Sequence, residues 1–306
     1  MRVYIWMAAS AAATVLFAAG FVLAVGVLLF HWPLGTAGAG GPVEKAEDGA
    51  SQGAEEAPGL PAAGGAGGSA GRWTIVALGD SIMRGIGDDA GGGVAARLRR
   101  LLAEAEAPEG SAAVPAEPGE GTEAVTAVNL AVAGYRSRDL AAQLEEPGVR
   151  HALSKADLIL LSIGGNDAFP SVDVLLAPEV RADEEALKAF RETMAEALMK
   201  IRAANPAAPI FWLELYDPFF DVEGLRREAE AALGQWNEAI AGAAASAPGV
   251  VVVPTNDLLH AAGRAFLAAD HFHPSALGHA LLAERIRQDV QAHRAHRPDS
   301  APNPYR

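Results

Sequence analysis

Cysteine is missing from all 306 residues. Its absence excludes a cysteine nucleophile, a thiolate metal site, a disulfide framework and a lipid-modified N-terminal cysteine. Positive charge is also scarce, with 24 Lys and Arg against 38 Asp and Glu and a formal net charge of −14. A nucleic-acid binder needs a basic patch to displace counterions from phosphate, so nucleic acid is excluded as a partner. The acidity is local. Residues 35–71 hold five acids against Lys45 and residues 104–123 hold six acids and no base, which leaves the rest of the chain close to neutral.

Charge of either sign is absent from Val3 to Phe30, 28 mostly apolar residues that follow Arg2. At about 1.5 Å rise per residue this run exceeds the roughly 30 Å hydrocarbon thickness of a bilayer and the core of a cleavable signal peptide. We read residues 1–34 as an uncleaved transmembrane signal anchor, with Trp6 and His31-Trp32 at the two interfaces. Arg2 and the amino terminus favour a cytoplasmic N-terminus. The chain that follows is then expected outside the cytoplasm as a single-pass protein of the cell membrane. The alternative is secretion after cleavage near Ala37–Ala39.

Large apolar side chains are nearly absent from residues 35–71, a Gly, Ala, Pro and Glu stretch that cannot bury enough surface to fold and reads as a disordered tether. A similar stretch at about 104–124 reads as a surface-loop insertion, and residues 294–306 as a disordered tail. Between them, residues 72–293 form one domain. Five short apolar runs, "WTIVAL", "AVNLAV", "DLILLSI", "PIFWLEL" and "GVVVVP", are continuous rather than alternating, as in parallel strands covered on both faces. Helical patterns lie between them at about 94–105, 137–144, 183–204 and 222–245, and a last one runs from 275 to about 293. This alternation predicts a three-layer α/β/α sandwich on a five-stranded parallel sheet, with functional groups at the carboxyl ends of the strands.

Two familiar signatures are also lacking. Gly85-Ile86-Gly87 does not continue into the dinucleotide fingerprint G-x-G-x-x-G, and there is no G-x-S-x-G nucleophile elbow. What the strand ends do carry is "GDS" (79–81), Gly134 in "NLAVAGYRS", "GGND" (164–167) and "DHFHPS" (270–275). These residue types fit acyl transfer. Ser81 is the candidate nucleophile, His273 the candidate base, and Asp270 the acceptor that fixes the imidazole tautomer. The backbone N–H groups of Ser81 and Gly134 and the side-chain amide of Asn166 are candidate oxyanion donors. Asp80 reads as a support for the nucleophile turn, Asp167 as a turn-stabilising carboxylate, His271 as a loop or pocket-wall residue, and His260 and His279 as surface or packing residues on helices. Gly85 and Gly87 read as loop flexibility past the nucleophile.

Together the four blocks resemble those of the SGNH, or GDSL-type, hydrolases, in that family's order over about residues 73–290. The resemblance implies a flavodoxin-like fold and hydrolysis of a carboxylic ester through an acyl-serine intermediate. It implies Ser81, His273 and Asp270 as the triad, oxyanion donors as named, and no metal or cofactor. "ELYDPF" (214–219) and "QWNEAI" (235–240) are similar to bacterial lysophospholipase-like members. The substrates in view are lipid acyl esters, lysophospholipids and O-acetyl groups of glycans. The alternative function is a catalytically silent module that binds wall glycan or lipid on the same fold.

Overall fold

Successive residues of the central strands face opposite sides of the sheet, and this alternation sorts the domain into layers. Val76, Leu78, Ile159, Leu161, Ile210 and Trp212 face one core, while Ile75, Ala77, Leu158, Leu160, Phe211 and Leu213 face a second. The computed structural model describes residues 73–89, 91–106, 125–169, 183–222 and 226–295. The expected anchor, the tether, residues 107–124 of the insertion and the tail from 296 lie outside the described residues. Among the described residues no helix is long and apolar enough to cross a membrane.

The strands are β1 (Trp73–Gly79), β2 (Val125–Asn129), β3 (Leu158–Ser162), β4 (Ile210–Leu213) and β5 (Val250–Val253). All pairings are parallel, in the order β2-β1-β3-β4-β5, which is the flavodoxin-like order. The chain passes from β1 to its neighbour on one side and returns to β3 on the other, so a crevice opens above the carboxyl ends of β1 and β3. That is where ligands bind in open α/β sheets. The edge strands are the less covered ones, with most of β2 and β5 only partly buried.

The helices are α1 (Ser81–Arg84), α2 (Gly93–Glu106), α3 (Ser137–Gln143), α4 (Pro147–Ser154), α5 (Gly165–Ala168), α6 (Glu184–Ala204), α7 (Arg226–Ala244), α8 (Asn256–Ala262) and α9 (Ala276–Ala295). Helices α3, α4, α6 and α7 cover the first core, and α2, α8 and α9 the second. Sequence dictates α6 in detail. Leu187, Phe190, Met194, Ala197, Leu198 and Ile201 recur on one face and are buried, and the Asp183 side chain accepts from the Glu185 N–H at the start. At its end Asn205 turns inward and its amide donates to Leu153 O and Ala156 O at 2.8 and 2.7 Å, and Pro206 prevents continuation.

Three expectations need correction. Helix α2 runs to Glu106, within one residue of its expected end, and so takes in the first residues read as an insertion. The pattern placed at 222–245 is α7 over Arg226–Ala244, with Val222 outside the helix and residues 223–225 outside the described residues. Helices α4 and α8 were not anticipated, since each is under three turns and gives little periodicity to read.

Candidate active site

The turn after β1 is built by close contact with the end of β3. Gly79 has φ +127°, and a Cβ there would lie 1.9 Å from the carbonyl oxygen of Ser162, so only glycine fits. The Asp80 N–H then donates to Ser162 O at 2.9 Å and the Ser162 hydroxyl donates to Asp80 Oδ1 at 3.0 Å. The same oxygen accepts from the Ile82 N–H at 3.1 Å, capping α1 and presenting Ser81 at its first position. Asp80 thus supports the turn as its sequence suggested. Ser162, buried at the end of β3, was missed because a lone serine closing an apolar strand gives no signal. Burial of the Asp80 carboxyl raises its pKa to about 6 against the lowering effects of Ser162, Ile82 and His273.

The loop before α9 carries the imidazole. The Phe272 and His273 N–H groups both donate to Asp270 Oδ1 at 3.0 Å, the Ala268 N–H donates to His273 O at 2.8 Å, and the Tyr216 hydroxyl donates to Phe272 O at 2.7 Å. His273 Nδ1 lies 2.6 Å from Asp270 Oδ2 and its Nε2 lies 2.8 Å from Ser81 Oγ. A carboxylate at Nδ1 places the ring proton there and leaves Nε2 free to accept from the serine hydroxyl. Burial pushes the Asp270 carboxyl up, but the bonds from the His273 ring, Phe272 N–H and His273 N–H prevail and hold it at about 2. Asp270 is therefore ionised at neutral pH.

Gly134 has φ +83°, and a Cβ built there would meet no protein atom within 4 Å. Asn166, on α5 after β3, donates from Nδ2 to Tyr135 O at 2.9 Å. Asp167 accepts from the Ser137 N–H and hydroxyl rather than bonding within its own turn. Its carboxyl is raised by burial, an effect opposed by those bonds. Beside Ser81 opens a cavity of ≈ 30 Å³ walled by Ile82, Phe169, Leu215, Tyr216, Pro218 and Phe272, with Asp80, Gly165 and Asn166 completing its lining.

His271 and His279 keep their expected places, whereas one glycine does not. His271 is an exposed loop residue with φ 60°, and its ring meets the Arg264 guanidinium. His279 is fully buried, and its Nε2 donates to Ile86 O at 2.9 Å, tying α9 to the loop after the nucleophile. Gly87 is not there for flexibility, since a Cβ would lie 2.2 Å from Pro274 O and the nucleophile loop packs directly on the histidine loop.

The same residues can be compared with known proteins. The chain is 26% identical over 220 residues to the uncharacterized protein YpmR of Bacillus subtilis strain 168, covering 71% of this chain and 81% of that protein. It is 27% identical over 222 residues to the spore germination lipase LipC of Bacillus licheniformis, covering 69% and 93%. The crystal structure of the lipase Lip_vut3 from a goat rumen metagenome shares its fold at a TM-score of 0.57 and 24% identity, over 71% of this chain and 96% of that one. A catalytic mutant of Axe2, an acetylxylan esterase from Geobacillus stearothermophilus, does so at 0.52 and 20%, over 72% and 95%. The GDSL-like Lipase/Acylhydrolase family matches residues 77–281, about two thirds of the chain and all four blocks. The chain belongs to that family of ester hydrolases.

Proposed function

We propose that the protein is a serine esterase, anchored in the cell membrane with its catalytic domain outside the cytoplasm, that cleaves carboxylic esters through an acyl-serine intermediate. The observation that carries this reading is the unbroken line of hydrogen bonds from Asp270 through His273 to Ser81. His273 Nε2 takes the hydroxyl proton as Ser81 Oγ attacks the ester carbonyl, and Asp270 stabilises the imidazolium that forms. The N–H groups of Ser81 and Gly134 and the Asn166 amide hydrogen not bonded to Tyr135 receive the charge that develops on the carbonyl oxygen. The imidazolium then returns its proton to the leaving alcohol. Water repeats the cycle on the acyl-serine and releases the acid.

The substrate class in view is lipid acyl, lysophospholipid or O-acetyl esters, in keeping with a relative named a lipase and a structural neighbour named an acetylxylan esterase. The anchor rests on the 28 uncharged residues from Val3, the tether on residues 35–71, and the catalytic domain on 72–293. Ser81→Ala should abolish hydrolysis of a p-nitrophenyl acyl ester and labelling by a fluorophosphonate while leaving the melting temperature nearly unchanged. Retained turnover would sink the assignment, and a wild-type chain that resists the probe under native conditions would favour a silent binding module. Membrane fractionation with a protease-protection assay of the intact cell tests the anchor and its orientation.

A further inference from the structure

The two oxyanion donors outside the nucleophile turn sit on separate loops. Gly134 follows β2 at the sheet edge, Asn166 follows β3, and β1 lies between those strands. Nothing in sheet pairing sets one loop against the other. The contacts that do so come from α5, and Asp167 makes most of them. Its Oδ2 and Oδ1 accept from the Ser137 N–H at 3.0 and 3.2 Å, and Oδ1 accepts from the Ser137 hydroxyl at 2.6 Å. One residue earlier, the Asn166 amide donates to Tyr135 O at 2.9 Å. Two adjacent residues of α5 therefore grip Tyr135 and Ser137, two of the three residues that follow Gly134.

Other bonds in the Gly134 loop do a different job. The Arg136 N–H donates to Asp139 and the Tyr135 N–H to Val132 O, which shapes the loop internally but leaves its position over α5 free. Ser137 is 4% exposed, so its hydroxyl would lose a partner without finding water. The Tyr135 bond also uses one hydrogen of the Asn166 amide and thereby fixes the direction of the other.

We propose that Asp167 and Ser137 are positioning residues that lock the Gly134 N–H and the Asn166 amide into one oxyanion-binding geometry. The inference rests on the esterase reading above. Preorganised donors stabilise a developing oxyanion without reorganising, and a misplacement of about 1 Å costs on the order of 100-fold in rate. The lock acts on the transition state more than on the bound ester, whose carbonyl carries little charge.

The test uses the full-length chain as wild type, Asp167→Asn, Ser137→Ala and the double variant. Active sites are titrated with a fluorophosphonate so that rates refer to competent molecules. For Asp167→Asn, kcat should fall about 10- to 100-fold with KM within about twofold. Affinity for a trifluoromethyl ketone, which forms a tetrahedral adduct on the serine, should fall by the same factor as kcat/KM. Ser137→Ala keeps its backbone bonds and should lose less, and the double variant should be no worse than Asp167→Asn because both remove one contact. Titrated sites that turn over at the wild-type kcat and bind the ketone with wild-type affinity overturn the lock, as does strict additivity. If the wild type itself neither labels at Ser81 nor hydrolyses esters, the esterase reading and the lock fall together; if it does both, only the variants decide.

Discussion

His273 Nε2 lies 2.8 Å from Ser81 Oγ although 192 residues separate them in the chain. The contact exists because β1 ends beside β3 and because α9 packs its first turns onto the loop after the nucleophile, through His279 and Ile86. The imidazole can serve as a base only with its proton on Nδ1, and Asp270 keeps it there. Asp270→Asn should therefore lower kcat by about 10⁴-fold, as a wrong tautomer does in serine hydrolases, while substrate affinity changes little. Steady-state kinetics on a short acyl ester check this, and a loss confined to KM would contradict it. The pH dependence of stability follows from the carboxyl held at about 2, below its ordinary 3.8. Its contribution is present above pH 3.8 and is lost as pH falls towards 2, so the wild type should lose its advantage over Asp270→Asn in that window.

Asp80 predicts the opposite sign. Its pKa is raised from 3.8 to about 6, so the folded state holds a proton that the unfolded state has released, and stability declines as pH rises between those values. Asp80→Asn keeps an oxygen to accept from Ser162 and Ile82 but cannot ionise. The variant should gain stability relative to wild type as pH rises from about 4 to 6, with no further gain above. Urea midpoints at pH 4, 5, 6 and 7 give the readout, and a difference independent of pH would refute the assignment.

Two glycines with positive φ should respond differently to alanine. At Gly79 the new methyl meets Ser162 O at 1.9 Å, within the contact that joins β1 to β3. Gly79→Ala should destabilise the domain by about 4 kcal/mol or more, enough to prevent expression as folded protein. At Gly134 the methyl meets nothing, so only the backbone conformation opposes it, at about 1–2 kcal/mol. Gly134→Ala should fold and lose activity, because the methyl projects into the open space above the crevice. Thermal melts beside fluorophosphonate labelling rates separate the two cases.

Asp88 anchors the loop between the nucleophile and α2. Its buried carboxylate accepts from Gly91 and Gly93 N–H groups and pairs with Arg97 at 2.6 and 2.9 Å. The Arg97 hydrogen bond is the largest influence holding the carboxyl at about 2. Arg97→Ala would leave that charge buried without its partner and should cost about 3 kcal/mol. Adding Asp88→Asn to Arg97→Ala should restore part of the loss, measured by chemical denaturation; a double variant less stable than the single would rule out the buried charge as the cause.

The order of the five strands and of the longer helices was legible in the sequence, as were Ser81, Asp270 and His273, which the structure brings together, because continuous apolar runs and residue types at strand ends are local properties. Ser137, Ser162, Tyr216 and His279 were not legible as parts of the site. Each acts through bonds to a residue distant in the chain, and a serine or tyrosine by itself announces no partner. Gly87 was misread for the same reason, since its requirement comes from Pro274, far along the chain.

What the sequence by itself determined is therefore the set of candidate groups and the layered architecture that carries them, through composition and continuous apolar runs. Tertiary structure alone decided their geometry. It chose which imidazole nitrogen meets which oxygen, that Asp167 reaches Ser137 across two loops, and that a side chain at Gly134 would meet no protein atom. These are distances between segments whose relative positions follow from packing on a twisted sheet, and packing depends on every strand and helix at once.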